Sequence, residues 1–373
     1  MTATPRIPTS LLTGFLGSGK TTLLNGWLMS PALADAAVIV NEFGEVGIDH
    51  ALIASSSDNT IELSTGCLCC TVRGDLVDTL RELNERRERG EVRAFNRVFI
   101  ETTGLADPVP VIQALMTFPV AGKFALDRVI TAVDGVQGMA TLDNHPEAVK
   151  QAAVADHLIL TKSDIAPPSP GLLARLRALN PGARVSIASP ASPPPADRVA
   201  GTALYDPAAK SADVTAWLNA QAYADAHEGL GHHHGHAHGH HHHGHHHDVN
   251  RHDTRIGSFC LSFEEPLAWE HVAHWLDALV IAHGNDLLRV KGIIDVEGRE
   301  RPIVVQAVQH LFHPPFELKA WPDGPRRSQI VFITRDLGRD YVAEVLATIR
   351  SRPVGSPPVP SSGAAPTATA HHP

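Results

Sequence analysis

The feature that most constrains the fold is a glycine-rich turn between an apolar run and a helix-like run. Residues 11–24 read LLTGFLGSGKTTLL and contain the phosphate-loop pattern GxxxxGK[ST]. Residues 7–13 are apolar and β-branched, as in a buried strand, and residues 21–28 fit the first turns of a helix. In this order, a strand, a glycine turn and a helix N-terminus direct backbone N–H groups at a phosphate. The sequence therefore predicts an α/β nucleotide-binding domain.

Each residue type in the phosphate loop, defined as residues 14–22, suits nucleotide chemistry. Glycine permits positive φ angles and a close approach of the backbone to a ligand. We expect Lys20 to reach the β- and γ-phosphates and act in catalysis, and the Thr21 hydroxyl to bind Mg²⁺. The predicted nucleotide-binding residues of the loop are Gly14, Gly17, Ser18, Gly19, Lys20, Thr21 and Thr22. The alternative is a turn that binds nothing, which the strand, the lysine and the threonine together disfavour.

Acidic residues follow two further predicted strands. Glu42 comes after a strand over 36–40, and Glu101 comes after a strand over 97–100, with Gly104 three residues later. Ligands of open α/β sheets bind beyond the carboxyl ends of the strands. We therefore expect Glu101 to support Mg²⁺ or its water in catalysis, and Gly104 to give backbone room near the γ-phosphate. The Glu42 loop is expected to respond to the γ-phosphate as a switch segment does, with a solvated acidic loop as the alternative.

The base segment, residues 161–164, follows a predicted strand over 157–161 and reads TKSD. GTPases read their base with a [NT]KxD segment at this place. Asp164 would accept hydrogen bonds from guanine N1–H and the 2-amino group, a donor pair that adenine lacks, and the Lys162 stem would lie along the purine. Thr161 stands where Asn is usual. The sequence predicts GTP as the nucleotide, and a plain surface loop is the alternative.

Three of the four cysteines, Cys67, Cys69 and Cys70, lie within four residues, in a loop between a predicted strand and a predicted helix. Three thiolates can bind one Zn²⁺ at Zn–S distances of about 2.3 Å and leave the fourth position to Glu42 or water. A redox pair would need CxxC spacing in a thioredoxin-like setting, and inert buried cysteines are the remaining alternative. We favour the metal site.

A histidine-rich tract lies inside the chain. Twelve of the sixteen residues 232–247 are histidine, and the rest are glycine or alanine. Such a composition cannot build a core, so residues 226–253 are predicted to be a disordered linker. Neutral imidazoles bind zinc, cobalt, copper and nickel. The tract is therefore expected to capture or buffer metal above about pH 6, and a passive spacer is the alternative.

The chain, at 373 residues, is too long for one ordinary core. We predict a nucleotide-binding domain over 1–225, a small α+β domain over 254–350 and a disordered tail over 351–373. Alternation of strand and helix in the first domain predicts a mostly parallel, doubly wound sheet with helices on both faces. Its strands are expected at 7–13, 36–40, 61–63, 97–100, 129–133, 157–161 and 185–188. In the second domain we expect strands at 256–263, 288–296, 301–311, 316–321 and 328–334, and helices at 266–283 and 338–349.

The overall composition excludes several classes of partner. A net charge of −9 argues against a nucleic-acid partner held by phosphate attraction. No run of 18 apolar residues predicts a membrane span, and the first ten residues lack the charged-then-apolar pattern of a signal region. These features lead us to expect a cytoplasmic protein without a membrane partner.

Five motifs in the first domain, GFLGSGKTT, VNEFGEVGID, GCLCC, ETTGLADP and TKSD, occur in an order that resembles the CobW-like family of P-loop GTPase metal chaperones. HGNDLLRVKGIIDVEG and VQAVQHLF are similar to its C-terminal domain. The resemblance covers nearly the whole chain except the histidine-rich linker and the tail. It implies a P-loop GTPase fold, and zinc or another divalent ion held by Cys67, Cys69 and Cys70 with Glu42 as a neighbour or ligand. GTP hydrolysis with Mg²⁺ is expected to be slow, because no arginine finger is evident in the sequence. ETTGLADP looks more like the zinc-associated branch than the cobalamin branch.

The function that this implies is a cytosolic GTPase that carries Zn²⁺ or a similar divalent ion to a client apo-metalloprotein, with metal affinity coupled to nucleotide state. Assembly as a homodimer is left open. One alternative is a cobalt (Co²⁺) chaperone that serves cobalamin synthesis or the activation of a nitrile hydratase. A second is a non-enzymatic metal buffer based on the histidine tract, and a third is an ATP-dependent small-molecule kinase.

Overall fold

A computed structural model describes most of both predicted domains. The described residues are 6–33, 35–40, 60–62, 71–200, 218–219, 222–223, 255–322 and 324–351. The predicted metal ligands, the histidine tract and nearly all of the predicted tail lie outside them, namely Glu42, Cys67, Cys69, Cys70 and residues 232–247 and 352–373.

A parallel sheet forms the centre of the first domain. Its strands are β1 (Ile7–Gly14), β2 (Ala36–Val40), β3 (Thr60–Glu62), β4 (Arg97–Glu101), β5 (Phe124–Asp134), β6 (His157–Thr161) and β7 (Arg184–Ile187). They lie in the order β3-β2-β4-β1-β5-β6-β7. The inner strands read as continuous apolar runs because a parallel sheet is covered on both faces. β5 is longer than the predicted 129–133, since its first half also pairs with β1.

Helices cover both faces of this sheet. They are α1 (Lys20–Leu28), α2 (Thr71–Arg89), α3 (Val109–Met116), α4 (Gly138–Asn144), α5 (Pro146–Ala153), α6 (Pro170–Leu179) and α7 (Ala196–Val199). α1 packs on one face through Leu24 and Trp27. α2 packs on the other face through Leu76, Leu80 and Leu83, the stripe that helical periodicity predicts. The doubly wound α/β fold predicted from the sequence is therefore confirmed.

The strand register brings the predicted nucleotide-binding motifs to one edge. Glu101, the last residue of β4, lies opposite Val40 of β2 and Leu12 of β1. On the other side of β1, Asp134 of β5 lies opposite Thr161 of β6. The carboxyl ends of the five neighbouring strands β2, β4, β1, β5 and β6 thus meet, and this carboxyl edge carries the phosphate loop, Glu101 and the base segment.

The second domain is an antiparallel sheet with two helices. Its elements are β8 (Ile256–Phe263), α8 (Trp269–His283), β9 (Leu287–Ile294), β10 (Ile303–Val308), β11 (Leu311–Phe312), β12 (Phe316–Glu317), β13 (Ser328–Arg335) and α9 (Arg339–Arg350). The strand order is β11-β10-β9-β13-β8, with β12 on β10. α8 and α9 cover one face, and the indole N–H of Trp275 donates to the Val342 carbonyl at 2.9 Å. The predicted α+β class is confirmed.

Three predicted boundaries in the second domain are wrong. The strand expected over 301–311 is two strands, because Gln309 adopts a φ of 52° and turns the chain between β10 and β11. The strand expected over 316–321 has two residues. The helix expected from residue 266 begins at Trp269, because Ala268 is extended and Leu267 bridges to Val296.

The other face of the second sheet packs against the first domain, and the two share one apolar cluster. Asp156, directly before β6, lies 3.0 Å from Arg289 Nη2 and 2.6 Å from Lys291 Nζ, both on β9. Gln113 of α3 donates to the Val308 carbonyl at 3.4 Å. The second domain therefore contacts β6 at its amino end, opposite the carboxyl edge. Within the described ranges, no helix is long and apolar enough to span a bilayer.

Candidate functional site

The phosphate loop connects β1 to α1 through glycines with unusual backbone angles. Gly14 has a φ of 142°, and a Cβ there would lie only 2.3 Å from the Ala132 carbonyl oxygen of β5. Gly17 and Gly19 have φ values of 69° and 86°. Any larger residue at position 14 would displace the loop from the sheet. Because Gly19 directly precedes α1, the anion-attracting end of the helix faces this loop.

Lys20 is folded back over the loop that it follows. Its buried Nζ donates to the carbonyl oxygens of Gly14 at 3.1 Å and Phe15 at 3.3 Å. These bonds hold the ammonium group above the turn on the side of the α1 N-terminus. A cation fixed at an anion-binding helix end suits the phosphates of a nucleotide.

Thr21 and Glu101 meet at the carboxyl edge. The Thr21 hydroxyl donates to Glu101 Oε1 at 2.7 Å, and the carboxylate is buried. A hydroxyl and a carboxylate are the hard oxygen ligands that Mg²⁺ takes, usually together with phosphate oxygens and water. The donor set present therefore fits Mg²⁺, and the roles expected of Thr21 and Glu101 at the ion stay predictions.

Other predicted loop residues occupy different environments. Ser18 is buried, and its Oγ has no hydrogen-bond partner among the described residues. Thr22 is exposed at the start of α1, and Gly17 has open space around its Cα. Phe15 stacks on His145 with ring centroids 4.3 Å apart. No sequence pattern indicated this last contact, since the two residues are distant in the chain.

The Glu101 loop, defined as residues 101–107, packs directly on the phosphate loop. The Thr102 hydroxyl donates to Thr13 Oγ1 at 2.9 Å. A Cβ at Gly104 would lie 2.5 Å from the Leu16 backbone nitrogen. The missing side chain thus lets the two backbones touch, and any contact of Gly104 with a γ-phosphate remains a prediction.

The base segment is tied to the phosphate loop by its first residue. Thr161 Oγ1 donates to the Ser18 carbonyl at 2.7 Å and lies 3.2 Å from the Val133 carbonyl. The threonine at the position where GTPases usually have asparagine therefore links the two motifs. Ser163 Oγ donates to the Ala188 carbonyl at 2.8 Å, which fixes the segment on its other side.

Lys162 and Asp164 differ in their contacts. Lys162 has a φ of 59°, and its Nζ lies 2.6 Å from Asp134 Oδ2. Burial tends to raise the pKa of Asp134, but Lys162 and the N–H groups of Gln137 and Val136 lower it overall. Asp164 is exposed and takes no hydrogen bond from a described residue. Its carboxylate is therefore accessible to a base.

The metal predictions cannot be placed in the same way, because the three cysteines and Glu42 lie outside the described residues. Among the residues that are described, no three or more His, Cys, Asp and Glu side chains cluster as a metal site would require. Cys260 is a separate thiol on β8, partly buried against the apolar cluster that the two domains share.

Sequence reasoning missed Gln151 of α5, which contacts the Glu101 loop. It is fully buried, and its amide donates to carbonyl oxygens of that loop. The available signal was a single long polar residue inside the small apolar run QAAVA. Such a residue needs hydrogen-bond partners once it is buried.

Two protein-family models match the chain. The CobW/HypB/UreG nucleotide-binding domain matches residues 8–186, and the cobalamin synthesis protein cobW C-terminal domain matches residues 256–350. These matches divide the chain where the two sheets do.

Curated relatives match over nearly the full length. The zinc chaperone CobW of Pseudomonas aeruginosa is 33% identical over 376 residues, which span 92% of this chain and 91% of that protein. The zinc chaperone YjiA of Escherichia coli is 29% identical over 92% of this chain and 99% of its own length. The zinc-regulated GTPase metalloprotein activator 1 of Saccharomyces cerevisiae is 27% identical over 91% of this chain.

Solved structures of one of these relatives also align with nearly the whole chain. The crystal structure of the Zn(II)-bound YjiA GTPase of E. coli aligns with a TM-score of 0.62 at 25% identity, over 93% of this chain and all of that one. A Zn(II)-bound YjiA variant with one glutamate and two cysteines replaced by alanine aligns with a TM-score of 0.63 at 26% identity. That relative thus binds zinc even without those three side chains.

Proposed function

This chain belongs to the family with the CobW/HypB/UreG nucleotide-binding domain and the CobW C-terminal domain, and we propose that it is a GTP-hydrolysing zinc chaperone. It binds Zn²⁺ or a similar divalent ion and transfers it to a client metalloprotein. The observation that carries the nucleotide part is the meeting of the phosphate loop, the Thr21–Glu101 pair and the base segment at one edge of the sheet. The relatives named zinc chaperones support the metal part.

In the proposed hydrolysis, each residue acts at a defined place. Lys20, held over the loop by two carbonyls, places positive charge where negative charge grows on the γ-phosphate. Glu101 accepts a hydrogen bond from the Thr21 hydroxyl, so the oxygen lone pairs of Thr21 are directed away from the carboxylate and are available to a metal ion. Bound Mg²⁺ supplies further positive charge for the phosphate oxygens. The N-terminus of α1 adds its backbone N–H groups.

The base segment selects guanine over adenine in this proposal. Asp164 is exposed and takes no bond from a described residue, so both carboxylate oxygens can accept from N1–H and the 2-amino group. Lys162 is held by Asp134, which keeps its stem in one direction beside the purine. Hydrogen bonds to a charged acceptor contribute about 1.5–3 kcal/mol each, enough to separate GTP from ATP.

Zinc is the proposed cargo, and Cys67, Cys69 and Cys70 are its proposed thiolate ligands, with Glu42 as neighbour or fourth ligand. Connectivity supports a link to the nucleotide. β2 ends at Val40, opposite Glu101, and Glu42 follows only two residues later. A ligand so close in sequence to the Mg²⁺ edge can respond to the γ-phosphate. We propose that GTP and GDP therefore set different zinc affinities.

Two variants separate the nucleotide and metal parts of the proposal. Lys20→Ala should lower GTP hydrolysis at least 100-fold, on the order of the loss of a main catalytic charge, with zinc binding in the absence of nucleotide retained. Cys67→Ser with Cys69→Ser should remove the tightest zinc site and leave basal GTP hydrolysis within about threefold. Zinc affinity must be titrated, since a relative lacking two cysteines still binds zinc.

Three outcomes would each favour one of the alternatives over the proposal. Hydrolysis of ATP in preference to GTP would favour the kinase alternative and remove the role of Asp164. Unchanged tight zinc binding in the cysteine variant would move the metal site to the histidine tract, as in the buffer alternative. Cobalt bound in preference to zinc in the same titration would favour the cobalt chaperone.

A further inference from the structure

Two neighbouring residues of α5, Lys150 and Gln151, bind the Glu101 loop. Gln151 is 0% exposed, and its Nε2 donates to the carbonyl oxygens of Gly104 at 3.2 Å and Ala106 at 3.0 Å. Lys150, directly before it, forms an ion pair with Asp107. Four consecutive residues of the loop are thereby anchored at three points to one helix.

The orientation of the Gln151 amide follows from chemistry. Carbonyl oxygens only accept hydrogen bonds, so the NH₂ group must face Gly104 and Ala106. The opposite orientation would bring three oxygen atoms together inside the protein. The helix itself is fixed, because Thr131 of β5 donates through Oγ1 to the Gln151 backbone carbonyl at 2.8 Å. Gln151 therefore links the Glu101 loop to the central sheet, through its side chain on one side and its backbone on the other.

These bonds also set the directions of the loop's peptide groups. In a trans peptide unit the C=O and the following N–H point in opposite directions. Holding the Gly104 carbonyl toward Gln151 thus turns the Leu105 N–H away from the helix. The Ala106 N–H closes a turn on the Thr103 carbonyl at 3.2 Å. The same loop carries Glu101 against Thr21 and Gly104 against Leu16.

We propose that Gln151 is a positioning residue for GTP hydrolysis. It holds the Glu101 loop where Glu101 reaches Thr21 and Gly104 abuts the phosphate loop. The inference rests on the proposed GTPase function. Binding of a nucleoside diphosphate depends mainly on the phosphate loop and the base segment, and the Gln151 amide donates to neither of them within the described part of the chain. Loss of its amide should therefore weaken the response to a γ-phosphate and leave GDP binding intact.

Gln151→Met in the full-length protein tests the proposal, because methionine fills nearly the same volume without hydrogen-bond donors. We expect kcat for GTP to fall about 10- to 100-fold, the range for a displaced catalytic loop. We expect the affinity for a non-hydrolysable GTP analogue, measured by displacement of a fluorescent GDP, to fall about 10-fold. GDP affinity in the same assay should change by less than about threefold.

A matched control comes from the second domain. Gln306 of β10 is a glutamine of similar burial, and its amide has no hydrogen-bond partner among the described residues. Gln306→Met removes the same chemical group far from the Glu101 loop along the chain. It should leave kcat and both nucleotide affinities unchanged, so any loss there would measure only the general cost of the substitution.

Gln151→Glu adds a pH signature that a merely structural role would not give. The ionised carboxylate cannot donate to the two carbonyls, whereas the protonated acid has one O–H donor. Burial raises the pKa of a carboxyl group, so kcat of this variant relative to wild type should rise as the pH is lowered from about 8 to about 6. The corresponding ratio for Gln151→Met should stay flat.

Clear outcomes overturn the proposal. Wild-type kcat in Gln151→Met would do so, as would an equal loss of affinity for GDP and for the GTP analogue. If Gln151→Met does not fold, Lys150→Met decides instead, since Lys150 is half-buried and anchors the same loop; about threefold lower kcat supports the proposal, and an unchanged kcat contradicts it. Failure of the wild type itself to hydrolyse GTP would instead remove the proposed function on which this inference rests.

Discussion

Two aspartates eight residues apart flank β6, and their surroundings are opposite. Asp156, at the amino end of the strand, is buried between Arg289 and Lys291 of the second domain and also accepts the Val129 N–H at 2.9 Å. Asp164, beyond the carboxyl end, is exposed and takes no hydrogen bond from a described residue. The same residue type is thus buried in a domain interface at one end of β6 and accessible to a ligand at the other. We call the amino end with Asp156 the closed end and the carboxyl end with Asp164 the open end.

The difference shows how this fold divides stability from binding. Burial tends to raise the pKa of Asp156, but Arg289 and Lys291 outweigh it and hold the pKa well below its usual range. The Asp156 carboxylate therefore stays ionised and paired within the domain interface. Asp164 has both oxygens available for a ligand. We expect changes at the amino end to alter folding and changes at the carboxyl end to alter nucleotide binding.

The largest effect is expected from breaking the closed end. Asp156→Asn removes the carboxylate that pairs with the buried Arg289 and Lys291 and should lower the free energy of unfolding by about 3–5 kcal/mol. Part of the loss is recoverable, because burial already lowers the pKa of Lys291 to about 8 and the lysine can release its proton. Urea unfolding of the variant checks this value.

A double variant sharpens the same point. Asp156→Asn combined with Lys291→Met also removes one of the two buried positive charges and should regain about 1 kcal/mol or more over Asp156→Asn alone. Asp164→Asn, measured in parallel, should stay within about 0.5 kcal/mol of wild type, as surface substitutions usually do. Equal destabilisation by the two single substitutions would remove the distinction between the two ends.

The closed end should also be sensitive to acid through His157, the first residue of β6. Its Nε2 accepts from Ser186 Oγ at 2.8 Å and its Nδ1 donates to the Arg198 carbonyl at 3.3 Å. Burial lowers the pKa of His157 to about 4, whereas the unfolded chain binds this proton near pH 6.5. The unfolded state therefore holds more protons in between, and stability falls as pH falls through this window.

We expect this loss to reach about 3 kcal/mol between pH 6.5 and pH 4. Denaturant unfolding at several pH values measures it. His157→Gln, which keeps a donor and an acceptor but does not titrate, should lose that share of the pH dependence. The same slope in both proteins would mean that other groups cause it.

At the open end, Asp164→Asn should weaken GTP binding about 30- to 100-fold, the equivalent of about 2–3 kcal/mol for hydrogen bonds to a charged acceptor. Xanthosine triphosphate should lose much less or gain, because xanthine carries a carbonyl where guanine has its 2-amino group and the asparagine NH₂ can donate to it. Competition binding with both nucleotides checks this reversal. Uniform weakening of both would contradict base reading by Asp164.

The smallest effect is expected from Asp134→Asn. Asparagine keeps an oxygen for the Val136 and Gln137 N–H groups but loses the ion pair with Lys162. GTP affinity should fall about threefold, since partly exposed ion pairs contribute little, with unchanged thermal stability. A loss as large as that of Asp164→Asn would mean that Lys162 contributes more to base binding than its contacts indicate.

The open end could be predicted from the sequence because its motifs are local. Thr21 and Glu101 are 80 residues apart, yet each follows an apolar strand of a parallel sheet, and such strands bring their carboxyl ends together. Thr161 and Ser18 meet for the same reason. Chain order and strand ends therefore predicted the fold class and the edge of the sheet at which these motifs meet.

The closed end could not be predicted, because its pairs depend on how two domains pack. Arg289 and Lys291 stand in the apolar run LLRVKGII. This pattern indicates that the two charges are buried, but it does not identify the residue that pairs with them. Their partner, Asp156, lies more than 130 residues earlier. Gln151 was missed for a related reason, since its bonds go to carbonyl groups of a loop, and no sequence pattern specifies these.

The central claim is that the nucleotide state sets the zinc affinity, and one titration tests it directly. Zinc affinity of the full-length protein is measured with a competing chelator, without nucleotide, with GDP·Mg²⁺ and with a non-hydrolysable GTP analogue and Mg²⁺. We predict at least a 10-fold difference between the GTP-analogue and GDP states, about 1.4 kcal/mol of coupling, and loss of this difference in Cys67→Ser. Equal zinc affinity in all three states would contradict the account.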